Sequence, residues 1–363
     1  MADNFEYPVI TNRDLNNTTR EQWLDGVIDL VLFKMVLYAR VIMQNRVTFR
    51  GGEYITRPVK VKHGDDLSQD YLVDESLSVG RRSRTERPRF GWKLNQTPVM
   101  YDVEEWLKNS GGGDTAPVDL VDFLVDCTNE DARIHHYKSL WSFSSSENSP
   151  SFQSIPQALY HGDTAGDIGY LYGGLTRDLS ANNNTAWQSA DINDFSGGTS
   201  SQATLIDASM DTIEKMYTAC NYYVKSPASN FMFVCGPVIY HKLKAWVRAH
   251  KMDTGKGMMA KYGFTSFTVD EYEIVLDDFL RAANDAAVGG ATGNFTTLDK
   301  VLFCLYMPDF ELRLHPQRAF EFTGFTHQAM QPDGYDMWLA RIFAAGNFIN
   351  WRPNASCMQL NVV

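Results

Sequence analysis

Adjacent carboxylates, paired histidines, a lysine between glycines and five cysteines are the residues of this chain that could do chemistry. Asp277-Asp278 and Glu104-Glu105 bring two acids together, the raw material of general acid and base. Neighbouring side chains diverge on helix and strand alike, so neither pair makes a dyad by itself. Both read as surface acids. His135-His136 cannot comfortably chelate one metal, and His241 and His250 lie outside an HExxH frame. Gly255-Lys256-Gly257 lacks the spacing of a phosphate loop, and no serine sits in a GxSxG elbow. Met258-Met259 reads as core or interface filling. Cys127, Cys220, Cys235, Cys304 and Cys357 are odd in number and form no CxxC pair. They read as buried free thiols in a reducing cytoplasm, without the ligand spacing of a zinc site. No catalytic, cofactor-binding or metal site is expected, and the chain does not read as an enzyme.

What remains is a pattern of charge. Residues 81–93 hold Arg81, Arg82, Arg84, Arg87, Arg89 and Lys93 against Glu86 alone, a net +5. Residues 102–131 hold nine acids, among them Glu104, Glu105, Asp119, Asp122 and Asp126, against Lys108, a net −8. Opposite patches of this kind either dock copies onto one another or screen each other within one molecule. A nucleic-acid reading of the basic run is weakened by its few interleaved aromatics, Phe90 and Trp92. The whole chain is acidic, at −11, which argues against a dedicated phosphate binder.

The elements that must carry these charges can be read from the pattern. The 363 residues, 44% hydrophobic and 21% charged, suffice for two or three domains or one large discontinuous one. Met1 to Thr19 is polar, without the apolar core of a signal peptide, and reads as an arm. Val27 to Met43 carries Asp29, Lys34 and Arg40 and is shorter than a bilayer span, so it reads as a buried segment. Residues 46–101 read as a long hairpin, with β-favouring Val47, Tyr54, Thr56 and Val59, a polar tip, and a return limb from Phe90 to Tyr101. So long an excursion needs a surface to lie on, and a neighbouring copy would supply it. After Gly111-Gly112-Gly113 a helix is expected over 117–141, with Val121, Leu124, Val125, Thr128, Ala132 and His135 on one stripe. Residues 142–202 read as loops. A helix follows over 203–225, then a buried strand at Phe231–Cys235, a helix from Val238 to His250, and strands to the end. The class is α+β, with helices segregated from antiparallel strands.

In this order of elements the chain resembles the Hong-Kong-97-type major capsid proteins of tailed phages. The likeness is carried by Asn230-Phe-Met-Phe-Val-Cys-Gly-Pro-Val-Ile-Tyr-His-Lys-Leu, by Phe267-Thr-Val and Val275-Leu, and by Ala344-Ala-Gly-Asn-Phe-Ile-Asn-Trp-Arg-Pro-Asn-Ala-Ser. The resemblance implies an N-terminal arm and first helix (1–45), an E-loop hairpin (46–101), and a first P-domain part with its spine helix (102–200). An A-domain (201–310) and return strands with a tail (311–363) follow, and the P-domain joins the spine helix to an antiparallel sheet. It implies hexamers and pentamers closing an icosahedral shell around double-stranded DNA, in a virion assembled in the host bacterial cytoplasm. It implies a scaffolding protein, separate or removed by processing, a portal and a cement protein as partners, with no membrane and no cofactor. Contact between copies would run from Arg81, Arg82, Arg84, Arg87, Arg89 and Trp92 to Glu104, Glu105, Asp119, Asp122 and Asp126. An acidic wall would let packaged DNA slide instead of sticking. Lysine–asparagine welding, found in some members, would here draw on Lys60 or Lys62 and Asn354 or Asn361. The alternatives are an encapsulin-like compartment and a carbohydrate-active enzyme, the latter requiring a cleft with two converging carboxylates.

Overall fold

The computed structural model describes residues 35–37, 40–41, 46–48, 51–60, 85–109, 120–142, 149–159, 171–176, 187, 190, 207–250, 254–255, 260, 265–280, 300–327, 336–359 and 362. The arm, the hairpin tip at 61–84 and most of 177–206 lie outside them. The chain forms two compact units. The smaller holds, among described residues, 98–109, 120–129, 324–327 and 336–340; the larger holds the rest.

The larger unit is organised by Phe231–Cys235 (β9), five consecutive apolar residues that are all buried. A strand apolar at every position needs cover on both faces, and this one has it. Phe231, Phe233 and Cys235 join Met210–Val224 (α4) and Pro237–Ala249 (α5) in one apolar cluster. Met232 and Val234 face Tyr137, Leu140 and Trp141 from the end of helix Leu120–Trp141 (α2), with Val36, Leu37 and Val41 and with the short buried helix Ile155–Leu159 (α3). Leu302–Tyr306 (β13) lies antiparallel beside β9 with the same two-sided burial. Tyr272–Leu276 (β12) lies parallel on its other side. Ser266–Val269 (β11), Thr254–Gly255 (β10) and Cys357–Gln359 (β17) complete a six-stranded sheet ordered β10-β11-β12-β9-β13-β17.

Local chemistry sets the helix ends. The Ser209 hydroxyl accepts from the Thr212 N–H, and Lys225 closes α4 in the left-handed region at φ 53°. The helix expected over 203–225 therefore starts at Met210, because Ser209 takes the cap. Pro237 opens α5 directly after Gly236.

A second sheet runs Arg46–Thr48 (β1), Phe310–Phe322 (β14), Met337–Asn350 (β16), Thr326–His327 (β15), with Lys93–Asp102 (β6) also on β16. The expectation of purely antiparallel strands is corrected at two places. β1 pairs parallel with β14, and β12 pairs parallel with β9. Parallel pairing needs a long crossover, and the chain supplies one through α5 and another spanning most of its length.

The hairpin is antiparallel from Tyr54–Thr56 (β2) against Arg89–Gly91 (β5) to Val59–Lys60 (β3) against Thr85–Glu86 (β4). Its base lies on its own molecule, where the expectation was that a neighbour would supply the surface, while the tip lies outside the described residues. Ile55 and Phe90 are fully buried, packed with Tyr172, Ile349 and Trp351. The Phe90 ring meets Tyr172 edge-on at 5.1 Å and Trp351 at 5.6 Å. Tyr172 belongs to the small hairpin Leu171–Tyr172 (β7) and Leu175–Thr176 (β8), inside the stretch read as loops. Its turn presses so closely that a Cβ at Gly173 (φ 62°) would meet Pro88 at 2.8 Å and the Phe90 ring at 2.9 Å. The Arg89 N–H donates to the Gly173 carbonyl at 2.8 Å.

Candidate assembly surfaces

The smaller unit exposes what a folded chain usually buries. Along β6, Val99 and Tyr101 turn inward while Met100 turns out, following the strand's two-residue period. Helix Val103–Asn109 (α1) follows, its Glu105 carboxylate accepting from the Asp102 N–H at 3.3 Å. Met100, Trp106, Leu107 and Phe123 are 36% to 62% exposed. Glu104, Glu105, Asp122 and Asp126 are exposed in the same unit. Exposed large apolar side chains of this kind make the face a candidate contact surface.

The basic limb belongs to the larger unit. Arg87 and Arg89 are exposed, while Arg81, Arg82 and Arg84, like Asp119, lie outside the described residues. Lys93 is not part of that surface: it is 8% exposed, and its ammonium donates to the Ser149 carbonyl. Trp92 is half-buried, with its indole N–H on the Gly52 carbonyl at 2.8 Å and its ring edge-on to His315 at 5.9 Å. It thus ties the two limbs of its own hairpin at their base. Lys60 and Asn354 line one groove of about 310 Å³ with Arg57, Asp309 and Arg352. Lys62 and Asn361 lie outside the described residues.

The larger unit also holds a polar cluster that residue types alone did not reveal. Asp277, read as a surface acid, is fully buried. Its carboxylate accepts from the Tyr137 hydroxyl and from the Phe279 N–H at 2.9 Å, and Tyr137 in turn accepts from the Leu37 N–H at 3.2 Å. One carboxylate thereby joins α2, the segment at 36–41 and the turn after β12. Asp278 is half-buried, and its charge adds to the pressure on Asp277. Burial raises the Asp277 carboxyl from 3.8 to about 7, against the opposing pull of the Tyr137 and Phe279 hydrogen bonds.

That shift has a testable sign. Between 3.8 and about 7 the folded chain keeps a proton that the unfolded chain has lost. The stabilisation is complete below that window and fades as pH rises through it. Asp277→Asn cannot ionise, so its melting temperature should fall less than the wild type's as pH rises from about 4 to about 7. Superimposable slopes in thermal unfolding would show that Asp277 does not titrate there. His136 acts in the opposite sense. Burial, with His135 beside it, lowers the ring to about 4. His136, not the exposed His135, lies on the buried stripe of α2, against Phe152 at 4.6 Å and Phe320 at 5.1 Å. This corrects the stripe expected to run through His135.

The cysteines are free thiols, as expected. Cys127 is half-buried and the other four are buried, but Cys220, Cys304 and Cys357 converge, with all three sulfurs within 4.8 Å of one another. Nothing in their spacing announces this, since they come from a helix and two strands far apart in the chain.

Comparison with known proteins places the fold. No family model matches the chain, and no curated protein matches it. Among solved structures, a capsid chain of Cyanophage A-1(L) superposes with a TM-score of 0.64 at 10% identity, over 97% of this chain and 99% of that one. A capsid chain of Myoviridae Phage XM1 gives 0.53 at 10% identity, over 98% and 99%. The SrpI encapsulin of Synechococcus elongatus PCC 7942 gives 0.52 at 11% identity, over 97% and 95%. The chain has the fold of phage major capsid proteins, a fold that the encapsulin shares.

Proposed function

We propose that this chain is a structural shell subunit, the major capsid protein of a tailed phage, and that copies of it close into hexamers and pentamers around double-stranded DNA. The observation that carries the reading is the end-to-end likeness to a phage capsid chain, which leaves neither chain with a large unmatched domain. The acids and apolar residues exposed on the smaller unit agree with it. In this reading 1–45 is the arm and first helix, 46–101 the E-loop and 102–200 the first P-domain part. The A-domain is 201–310 and the return strands are 311–363. Scaffolding, portal and cement proteins would be its partners, and the virion its place, after assembly in the host cytoplasm.

The encapsulin likeness supports a second reading, a compartment for cargo enzymes. Electron microscopy of particles purified from producing cells, with their contents assayed, separates the two. Closed shells holding nuclease-protected DNA are expected. Shells filled with one enzyme would favour the compartment, and the absence of any shell would remove both.

The contact between copies is proposed to run from Arg87 and Arg89, with Arg81, Arg82, Arg84 and Trp92, to Glu104, Glu105, Asp119, Asp122 and Asp126 of a neighbour. Each exposed pair contributes only about 1 kcal/mol, but repetition round a shell multiplies it. Double reversal, Arg87→Glu with Arg89→Glu, should lower particle yield and weaken its dependence on salt. Unchanged yield and salt response would remove these residues from the contact.

A further inference from the structure

Three cysteines from distant parts of the chain meet inside the apolar cluster between α4 and the six-stranded sheet. Cys304 and Cys357 are direct partners across the antiparallel β13–β17 ladder. Cys220 lies on the buried face of α4, in the same cluster. Their sulfurs are mutually within 4.8 Å, and each residue is 1% exposed or less. The helical turn before Cys220 closes over them, since the Cys357 thiol donates to the Met216 carbonyl at 3.9 Å. One buried cysteine is a small apolar filler. Three with converging sulfurs form a set of soft donors.

We propose that Cys220, Cys304 and Cys357 bind one monovalent thiophilic cation, Cu(I), through three sulfurs. Sulfur donors select Cu(I) or Zn(II) over harder ions. Zinc completes a tetrahedron in structural sites, and among the described residues no fourth His, Cys, Asp or Glu joins this group. Copper(I) accepts three-coordination. The three thiols lie in an apolar cluster, so their thiolates are made only as the metal enters. In the balanced step three S–H bonds give way to three Cu–S bonds and three protons leave for water. Copper stays Cu(I) throughout, so no oxidant or reductant is needed. The bound ion would join α4, β13 and β17, stabilising the folded chain by mass action. The proposal does not depend on the shell reading.

The test is an anaerobic titration of the reduced full chain with Cu(I) against a chromogenic Cu(I) chelator. One copper and about three protons per chain are expected, with a sulfur-to-copper absorption band. Cys220→Ala and Cys304→Ala should each weaken binding about a hundredfold or more, while Cys127→Ala and Cys235→Ala should leave it unchanged. X-ray absorption at the copper edge of the wild-type chain should show three sulfur neighbours, a readout that needs no variant to fold. Oxygen or nitrogen neighbours, affinity indifferent to Cys304→Ala, or displacement of copper by equimolar Zn(II) would each overturn the proposal.

Discussion

Replacing Met100 and Trp106 together by lysine should yield a folded, soluble chain that no longer forms particles. Both side chains are largely in solvent, at 62% and 46% exposure, so their loss removes little from the folded monomer. At a contact between copies they would be buried. A tryptophan buries about 150–250 Å² in all, of which about half is still exposed on Trp106, so at about 25 cal/mol per Å² its burial is worth about 2–3 kcal/mol for each contact. Introducing lysine there also buries a charge without a partner. A closed shell repeats the penalty at each copy, so assembly should fail well before folding does. Circular dichroism should match the wild type, while electron microscopy should show no shells. Normal particles from the double variant would show that this surface faces solvent in the shell.

Phe90→Ala should cost about 3–5 kcal/mol of stability and release the base of the hairpin. The ring is wholly buried between Tyr172 and Trp351. The β7–β8 turn that closes over it has no slack, because Gly173 is already in contact with the ring's surroundings. A cavity at this place cannot be filled by collapse without moving the turn. Denaturant unfolding measures the loss, and limited proteolysis at the hairpin measures the release. Phe90→Leu should lose less than half as much. A change below about 1 kcal/mol for Phe90→Ala would mean that the hairpin base is not seated there.

These two predictions come from opposite ends of what the sequence makes legible. The central strands announce themselves, since Phe231–Cys235 and Leu302–Tyr306 are unbroken apolar runs and only two-sided burial explains such runs. Helices α4 and α5 are equally plain from their apolar spacing and from the Gly236-Pro237 start. The seat of the hairpin is not legible. Ile55 and Phe90 are single apolar residues 35 positions apart, and their partner Tyr172 lies in a stretch rich in serine, glycine and asparagine. Asp277 is hidden for a related reason. Its neighbour Asp278 makes the pair look like surface, and only the fold brings Tyr137, 140 residues away, to its carboxylate. The parallel pairings of β1 and β12 and the meeting of three cysteines are long-range facts of the same kind. Of the candidate surface, sign and position of charge were readable. The exposed Met100 and Trp106 were not, because an apolar residue in a sequence is read as core until the fold shows it outside.

Sedimentation velocity of the purified full-length chain, from dilute to concentrated, tests the shell reading most directly. Copies that build a closed container should pass from single chains or small rings to one large species of uniform size, with little between. A chain that sediments as a single copy at every concentration, under low and high salt alike, would contradict it.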